Sequence, residues 1–371
     1  MPLPKLFTPI QLGGVTLPNR IVVSPMCQYS ADDGCMSDWH LMHLGSLACS
    51  GAGLIVVEKT NVTREGRITH GCTGLYSEHN EAAMKRVIDA CRRISANPIG
   101  IQLGHAGRKG SANVPWVGAQ ALKPGESPWQ TVAPSALAQG EGWPTPHELT
   151  VSELKSLVEA FVCAAVRAKR IGFDAVELHS AHGYLLHQFL SPLSNQRTDS
   201  YGRDRSKFPL EVAAAVREAW PKERALGARI TGSDWAEGGI VPEDAVAYAR
   251  ELKRIGFDYL CVSSGGLPQS RIKVEPNYQV PFAEAVKKAV DVKVRAVGMI
   301  ADPDQAAEIV ESGRADMVAM ARAFLDDPRW VWHAAERFGV KLEYPPQYAR
   351  SHHELWPGAK LARPRSEIAQ S

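Results

Sequence analysis

No stretch of this chain approaches the roughly 18 consecutive apolar residues that a bilayer-crossing helix needs. The first residues, Met1-Pro2-Leu3-Pro4-Lys5, have no basic-then-apolar leader. The expectation is a cytoplasmic protein that does not enter a membrane. Charge of one sign is also missing: 42 Lys and Arg stand against 40 Asp and Glu, a formal net of +2. So small an excess cannot hold a polyanion, which argues against nucleic-acid binding by phosphate neutralisation. There is no Cys-x-x-Cys pair. The seven cysteines, at positions 27, 35, 49, 72, 91, 163 and 261, are odd in number and widely dispersed, and suggest neither a disulfide framework nor a zinc knuckle.

What the 371 residues do contain is one unit, repeated. Short β-branched runs follow a helix-like segment that ends in Gly, often with Asp close behind. Examples are Gly53-Leu-Ile-Val-Val-Glu58, Gly172-Phe-Asp-Ala-Val-Glu-Leu178, Gly256-Phe-Asp-Tyr-Leu-Cys-Val262 and Gly313-Arg-Ala-Asp-Met-Val-Ala319. The hexapeptide Lys-Arg-Ile-Gly-Phe-Asp occurs at 169–174 and again at 253–258, a separation that fits two βα units of about 42 residues each. Gly suits the left-handed residue that closes a helix, and an all-apolar run suits a strand buried on both faces. Strands are expected at Arg20–Pro25, Gly53–Glu58, Ile99–Gly104, Phe173–Ser180, Ala228–Gly232, Tyr259–Ser264, Val292–Gly298 and Met317–Arg322. Thr150 with Glu153, and Asp302-Pro303-Asp304, read as helix starts. Eight alternating strands and helices predict an α/β fold, a (β/α)8 barrel forming one domain over 1–371, with a doubly wound sheet as the rival. Residues 105–150, rich in Pro, Gly, Trp and Ser, break the rhythm as a lid-like excursion after the third strand. Residues 340–371 form a C-terminal arm.

In such a barrel chemistry gathers where strands end. The expected ends hold Ser24-Pro25-Met26-Cys27-Gln28-Tyr29, Glu58-Lys59, Gln102 through His105 to Arg108, His179-Ser-Ala-His182-Gly-Tyr184, Arg229, Gly298 and Ala321-Arg322. His179 and His182 allow three readings. They are metal ligands completed by His105 or Glu58, packed structural imidazoles, or neutral N–H donors to a substrate oxygen with Tyr184 as proton source. Gly298 and Arg322 stand where many barrels bind phosphate, although a Gly there also makes an ordinary turn. The chain lacks any Gly-x-Gly-x-x-Gly. A nicotinamide cofactor therefore has no Rossmann domain to bind and must use the barrel mouth.

The runs Pro25-Met26-Cys27-Gln28-Tyr29, Gln102 with His105-Ala-Gly-Arg108-Lys109, His179-Ser-Ala-His182-Gly-Tyr184, Ser191-Pro-Leu-Ser-Asn195 through Gly202, and Asp327-Pro328-x-Trp330 resemble the Old Yellow Enzyme family. Cys27 and the His-x-x-His pair resemble its thermophilic-like, xenobiotic-reductase branch. The resemblance covers about Leu6 to Arg350. It implies an FMN-dependent ene-reductase that takes hydride from NADPH or NADH and reduces the activated C=C bond of α,β-unsaturated carbonyl compounds. On this resemblance His179 and His182 bind the carbonyl oxygen and Tyr184 protonates the α-carbon. Ser24, Pro25, Met26, Cys27, Lys59, Gln102, Arg229, Gly298, Ala321 and Arg322 hold the cofactor, with Cys27 tuning its redox behaviour. Tyr29 lines the substrate pocket. Arg350 would reach a neighbouring subunit's site in a homodimer or dimer-based tetramer, unless it is a solvated tail residue.

Three departures from the family pattern are visible. Lys59 replaces a small residue beside the flavin, Ala321 replaces a Gly, and the segment 202–206 is shortened. The competing function is a metal-dependent barrel hydrolase built on His179 and His182.

Overall fold

The computed structural model describes residues 3–362, with only the backbone of Lys360. The chain opens with a hairpin of β1 (Ile10–Leu12) and β2 (Val15–Leu17). Next come β3 (Ile21–Val23), β4 (Leu54–Asn61) and β5 (Ile99–Gly104). The pair β6 (Val132–Ala133) and β7 (His147–Glu148) lies within the 105–150 excursion. The remaining strands are β8 (Ala175–Ser180), β9 (Ala225–Thr231), β10 (Tyr259–Ser263), β11 (Lys293–Val297) and β12 (Met317–Met320). Among the described residues eight strands, β3, β4, β5, β8, β9, β10, β11 and β12, pair in parallel and close a barrel wrapped by helices. The doubly wound alternative is thereby excluded, because β12 pairs with β3 and leaves no edge.

The helices form for local reasons that the sequence shows. Val151–Ile171 starts at a capping box in which Thr150 accepts from the Glu153 amide. The helix ends at Gly172, whose φ of 100° the left-handed cap requires. Between these ends Leu154, Leu157, Phe161, Ala164 and Ala168 recur at helical spacing and are buried against the strands. Asp302 caps Pro303–Glu311 by accepting from the amides of Asp304 and Gln305.

Two strands run further than the apolar pattern implied. β9 begins at Ala225 rather than Ala228, because Gly227 leaves room for the Tyr259 ring: a Cβ there would sit 2.3 Å from Cζ. β4 continues past Glu58 through Lys59, Thr60 and Asn61, polar residues that are buried and hydrogen-bonded at the barrel mouth. Just before the 202–206 segment, the Asn195 side-chain amide donates to the carbonyls of Phe189 and Tyr201 and ties the two stretches together.

The end of the barrel where strands begin is closed. Ile10, Leu12 and Leu17 of the hairpin pack with Val22, Leu54, Val56 and Met317 in one apolar cluster. Aspartates clasp neighbouring strands there. Asp174 donates its amide to the Ile99 carbonyl and accepts the Ile99 amide on Oδ2 at 2.8 Å. Asp258 does the same with Leu226 and Asp316 with Val294. This is the role of the Asp that follows Gly in the repeated hexapeptide.

Candidate active site

The strand ends bring His179, His182, Tyr184, Arg229, Lys59 and Gln102 to the open end of the barrel. His179 is the penultimate residue of β8 and is buried. Its Nδ1 accepts the Ala181 amide at 3.2 Å, which fixes the tautomer with hydrogen on Nε2. His182 sits at φ 59°, a left-handed conformation that strains a side chain bearing Cβ. Its ring centroid lies 5.0 Å from that of His179. Burial, reinforced by neighbouring cations, holds both imidazoles well below the usual histidine range, so both are neutral. Tyr184 packs edge-on to His179 with centroids 4.9 Å apart. Burial pushes its phenol well above the usual range, so it keeps its proton.

His182 is not free to donate as it stands. Its Nε2 meets the Ser263 hydroxyl at 2.8 Å. That hydroxyl donates to Gln279 Oε1 at 3.1 Å and accepts from Arg229 at 3.2 Å. With its one hydrogen spent on Gln279, Ser263 can only accept from His182. Ser263 and Gln279 therefore belong to the site although no motif pointed to them; the Ser263-Ser264 pair at the end of a strand was the available signal. Below Tyr184 a second network holds the loop. The buried His187 accepts the Gly183 amide on Nδ1 at 2.7 Å and faces Asp234 at 2.7 Å, and Ser191 donates to the same carboxylate.

The remaining expected residues divide into those at the mouth and one far from it. The Cys27 thiol is pushed up by burial, then by Glu58 and Cys72; it is a protonated S–H rather than a nucleophilic thiolate. Tyr29 stands at φ 52° and packs against Trp116 of the excursion at 5.9 Å. Gln102, 2% exposed, donates to Glu177 at 2.7 Å, and Glu177 pairs with Arg295 inside the barrel. Lys59 bends toward Asn61 and the Gly66 carbonyl, and its Nζ lies 4.9 Å from the Tyr184 ring centroid. Arg350 lies in the exposed turn Pro346–Ser351. Among the described residues it makes no hydrogen bond or ion pair with its own site, and residues 363–371 of the arm lie outside the described residues.

A cavity of about 430 Å³ runs from His182 and Arg229 past Gly298 to Ala321 and Arg322. Its chemistry suits a flavin mononucleotide. Ser24 Oγ and Arg229 Nε are buried without partners. Gly298, at φ 112°, brings its backbone so close that a Cβ would meet Gln279 at 2.3 Å. Ala321, at φ −111°, leads into the helix Arg322–Asp326, whose first amides have no partner within the helix, and Arg322 is exposed beside them. Backbone amides plus a guanidinium suit a phosphate. Metal chemistry finds less support: among the described residues no group of three His, Cys, Asp or Glu side chains could hold an ion, and His105 turns its Nδ1 to the Gly107 amide at 3.0 Å.

A closed (β/α)8 barrel with such a mouth defines a flavin-dependent oxidoreductase. The chain belongs to the NADH:flavin oxidoreductase / NADH oxidase family, which it matches over residues 5–339. It is 42% identical over 350 residues to the NADPH dehydrogenase of Geobacillus thermodenitrificans, covering 93% of this chain and 98% of the relative. It is 40% identical to the NADPH dehydrogenase of Bacillus subtilis, covering 93% and 98%. Among solved structures, morphinone reductase matches with a TM-score of 0.75 and 31% identity over 93% of this chain and 92% of that one. A structure of morphinone reductase in complex with tetrahydroNAD matches with a TM-score of 0.74 and 30% identity, covering 93% and 94%. The sequence resemblance to Old Yellow Enzymes is thus met. The protein is an enzyme whose cofactors are FMN and a nicotinamide reductant. The hydrolase reading finds no support in these relatives.

Proposed function

We propose that this enzyme is an ene-reductase that uses NADPH, or NADH, to reduce the activated C=C bond of α,β-unsaturated carbonyl compounds. FMN bound at the barrel mouth would supply the hydride chemistry that links the nicotinamide to the β-carbon. His179 Nε2–H and His182 Nε2–H, the latter released from Ser263, hold the carbonyl oxygen as it gains charge. A preorganised donor of this kind is worth about 3 kcal/mol of barrier. Tyr184 gives its proton to the α-carbon. Arg229, Gln102, Ser24, Pro25, Met26, Cys27 and the Lys59 backbone would hold the flavin ring, Arg229 supplying positive charge and Gln102 a hydrogen-bonding amide. Gly298, Ala321 and Arg322 take the phosphate, and Tyr29 bounds the substrate. Arg350 completes the site of a second subunit in a dimer-based oligomer, and the enzyme works in the cytoplasm.

The observation that carries this reading is the neutral His179 imidazole in ring contact with a second neutral imidazole, His182, at 5.0 Å and with the protonated Tyr184 phenol at 4.9 Å, centroid to centroid. The test is optical. The purified protein should be yellow, bleach with NADPH under nitrogen and recolour with cyclohexenone, yielding cyclohexanone. Colourless protein without releasable FMN, or recolouring without loss of the alkene, would overturn it.

A further inference from the structure

Three basic side chains surround Tyr184, and among the described residues none has a carboxylate partner. Arg229 makes its one hydrogen bond to Ser263 and is already assigned to the flavin. Lys109, 5.1 Å from the Tyr184 ring centroid, ties together the carbonyls of His182 and Gly266 at 2.7 and 3.0 Å, a task that explains its burial. Lys59 is left over. It is 2% exposed, and its nearest acid in sequence, Glu58, is turned to the Gln28 amide and to His40.

The place of Lys59 is built rather than accidental. Its stem occupies a slot that exists because residue 104 is Gly: a Cβ there would lie 3.0 Å from Lys59 Cγ, 3.2 Å from Cδ and 3.2 Å from the Cβ of His179. The ammonium donates to the Asn61 side-chain oxygen and to the Gly66 carbonyl. Asn61 is itself oriented by donating to the Thr73 carbonyl at 2.6 Å. Two of three N–H groups are thus engaged by neutral oxygens, and one remains. Neutral acceptors solvate the ammonium but do not cancel its charge. Burial pulls the Lys59 amine below the usual lysine range, and a charge held out of water without a directly paired anion costs several kcal/mol, so the arrangement favours an anion that arrives with the ligand.

We propose that Lys59 is a specificity-determining residue that binds a carboxylate on the alkene, so that the site prefers unsaturated carbonyl compounds bearing an acidic group. The proposal rests on the ene-reductase reading and names its substrate class. The surroundings support it beyond Lys59: Tyr29, Cys27, Ile68, Cys72 and Trp143 pack in one apolar cluster with Tyr184. The ammonium thus lies beside an apolar cluster at Tyr184, as recognition of a substrate with one charged end requires.

The test compares 4-oxopent-2-enoate with its methyl ester in FMN-loaded enzyme and in Lys59→Met. The ratio of kcat/KM for acid over ester cancels any general effect of the substitution, and comparing that ratio between the two enzymes cancels the intrinsic reactivity of each compound. The ratio should fall by about tenfold or more in K59M, as loss of a close charge pair requires. The Kd of 4-oxopentanoate against its methyl ester, read from the flavin absorbance of oxidised enzyme without turnover, should shift in the same sense. An equal ratio in wild type and K59M overturns the proposal. Failure of the wild type to reduce either compound, or any neutral enone, instead sinks the ene-reductase reading. Should K59M not retain FMN, Lys59→Gln, which keeps a donor for the Gly66 carbonyl, carries the same comparison with the same two outcomes.

Discussion

At the end of the barrel where strands begin, Ile10, Leu12 and Leu17 are buried among aliphatic side chains and aspartates clasp adjacent strands. At the other end stand neutral buried histidines, lysines without acids, and Tyr29 and His182 at φ of 52° and 59°. Each such strained residue costs about 1–3 kcal/mol and persists only where its surroundings hold it. The contrast assigns stability to one end and chemistry to the other. It also means that folding effects should dominate among substitutions at the closed end and rate or binding effects among those at the open end.

The largest effect expected on the chemical end is that of Tyr184→Phe. Removing the proposed general acid should slow reoxidation of reduced enzyme by cyclohexenone about 10²–10⁴-fold while leaving reduction by NADPH nearly unchanged. Stopped-flow absorbance separates the two half-reactions, and equal loss in both would break the assignment. At the closed end Leu17→Ala, which empties a side chain 1% exposed, should lower stability by about 2–5 kcal/mol with kcat per folded molecule unaltered. Urea titration alongside kinetics checks both halves of that statement. Arg322→Ala should weaken FMN binding about 10–100-fold through loss of a charge-assisted contact, measured by fluorescence of released flavin, with little change in the urea midpoint of the apoprotein.

Acid offers a further way to sharpen the comparison. Burial, then Lys59, depresses His105 to about 3, and burial, then His40, depresses His43 to about 4. Below the unfolded value near 6.5 the unfolded chain takes up protons that the folded state refuses. Stability is therefore present above pH 6.5 and is lost as pH falls toward those folded values, by about 2 kcal/mol for His105 between pH 6.5 and 5. Replacing His105 with Gln should flatten that slope in urea melts taken across the range; an unchanged slope would place the acid sensitivity elsewhere. The smallest effect expected is that of Asp258→Asn. It keeps an acceptor for the Leu226 amide and should cost only about 1 kcal/mol, with kinetics untouched.

Much of this was legible in the sequence, because the determinants were local. Gly172 and Gly256 are left-handed caps where the duplicated hexapeptide predicted them, at φ of 100° and 103°, and the eight β-branched runs became the eight strands. The cluster of His179, His182 and Tyr184 was visible because three site residues fall within six positions of one strand end. What the sequence did not reveal depends on partners far along the chain. The hairpin of β1 and β2 carries only three-residue strands, and its burial depends on residues as distant as Met317. Ser263 reaches His182 across 81 positions, and Lys59 turns toward Tyr184 only because residue 104 has no side chain.

The aspartate clasps have one more consequence. Asp174, Asp258 and Asp316 each bind a single residue of the adjoining strand twice, once by amide and once by carboxylate. A strand slipped by one position would lose both contacts and turn its alternating side chains to the wrong face. Three such two-point locks, at the β5–β8, β9–β10 and β11–β12 seams, act as a ruler that counts residues from the floor of the barrel upward. The chain can therefore vary the groups at its rim without losing the alignment that brings them together.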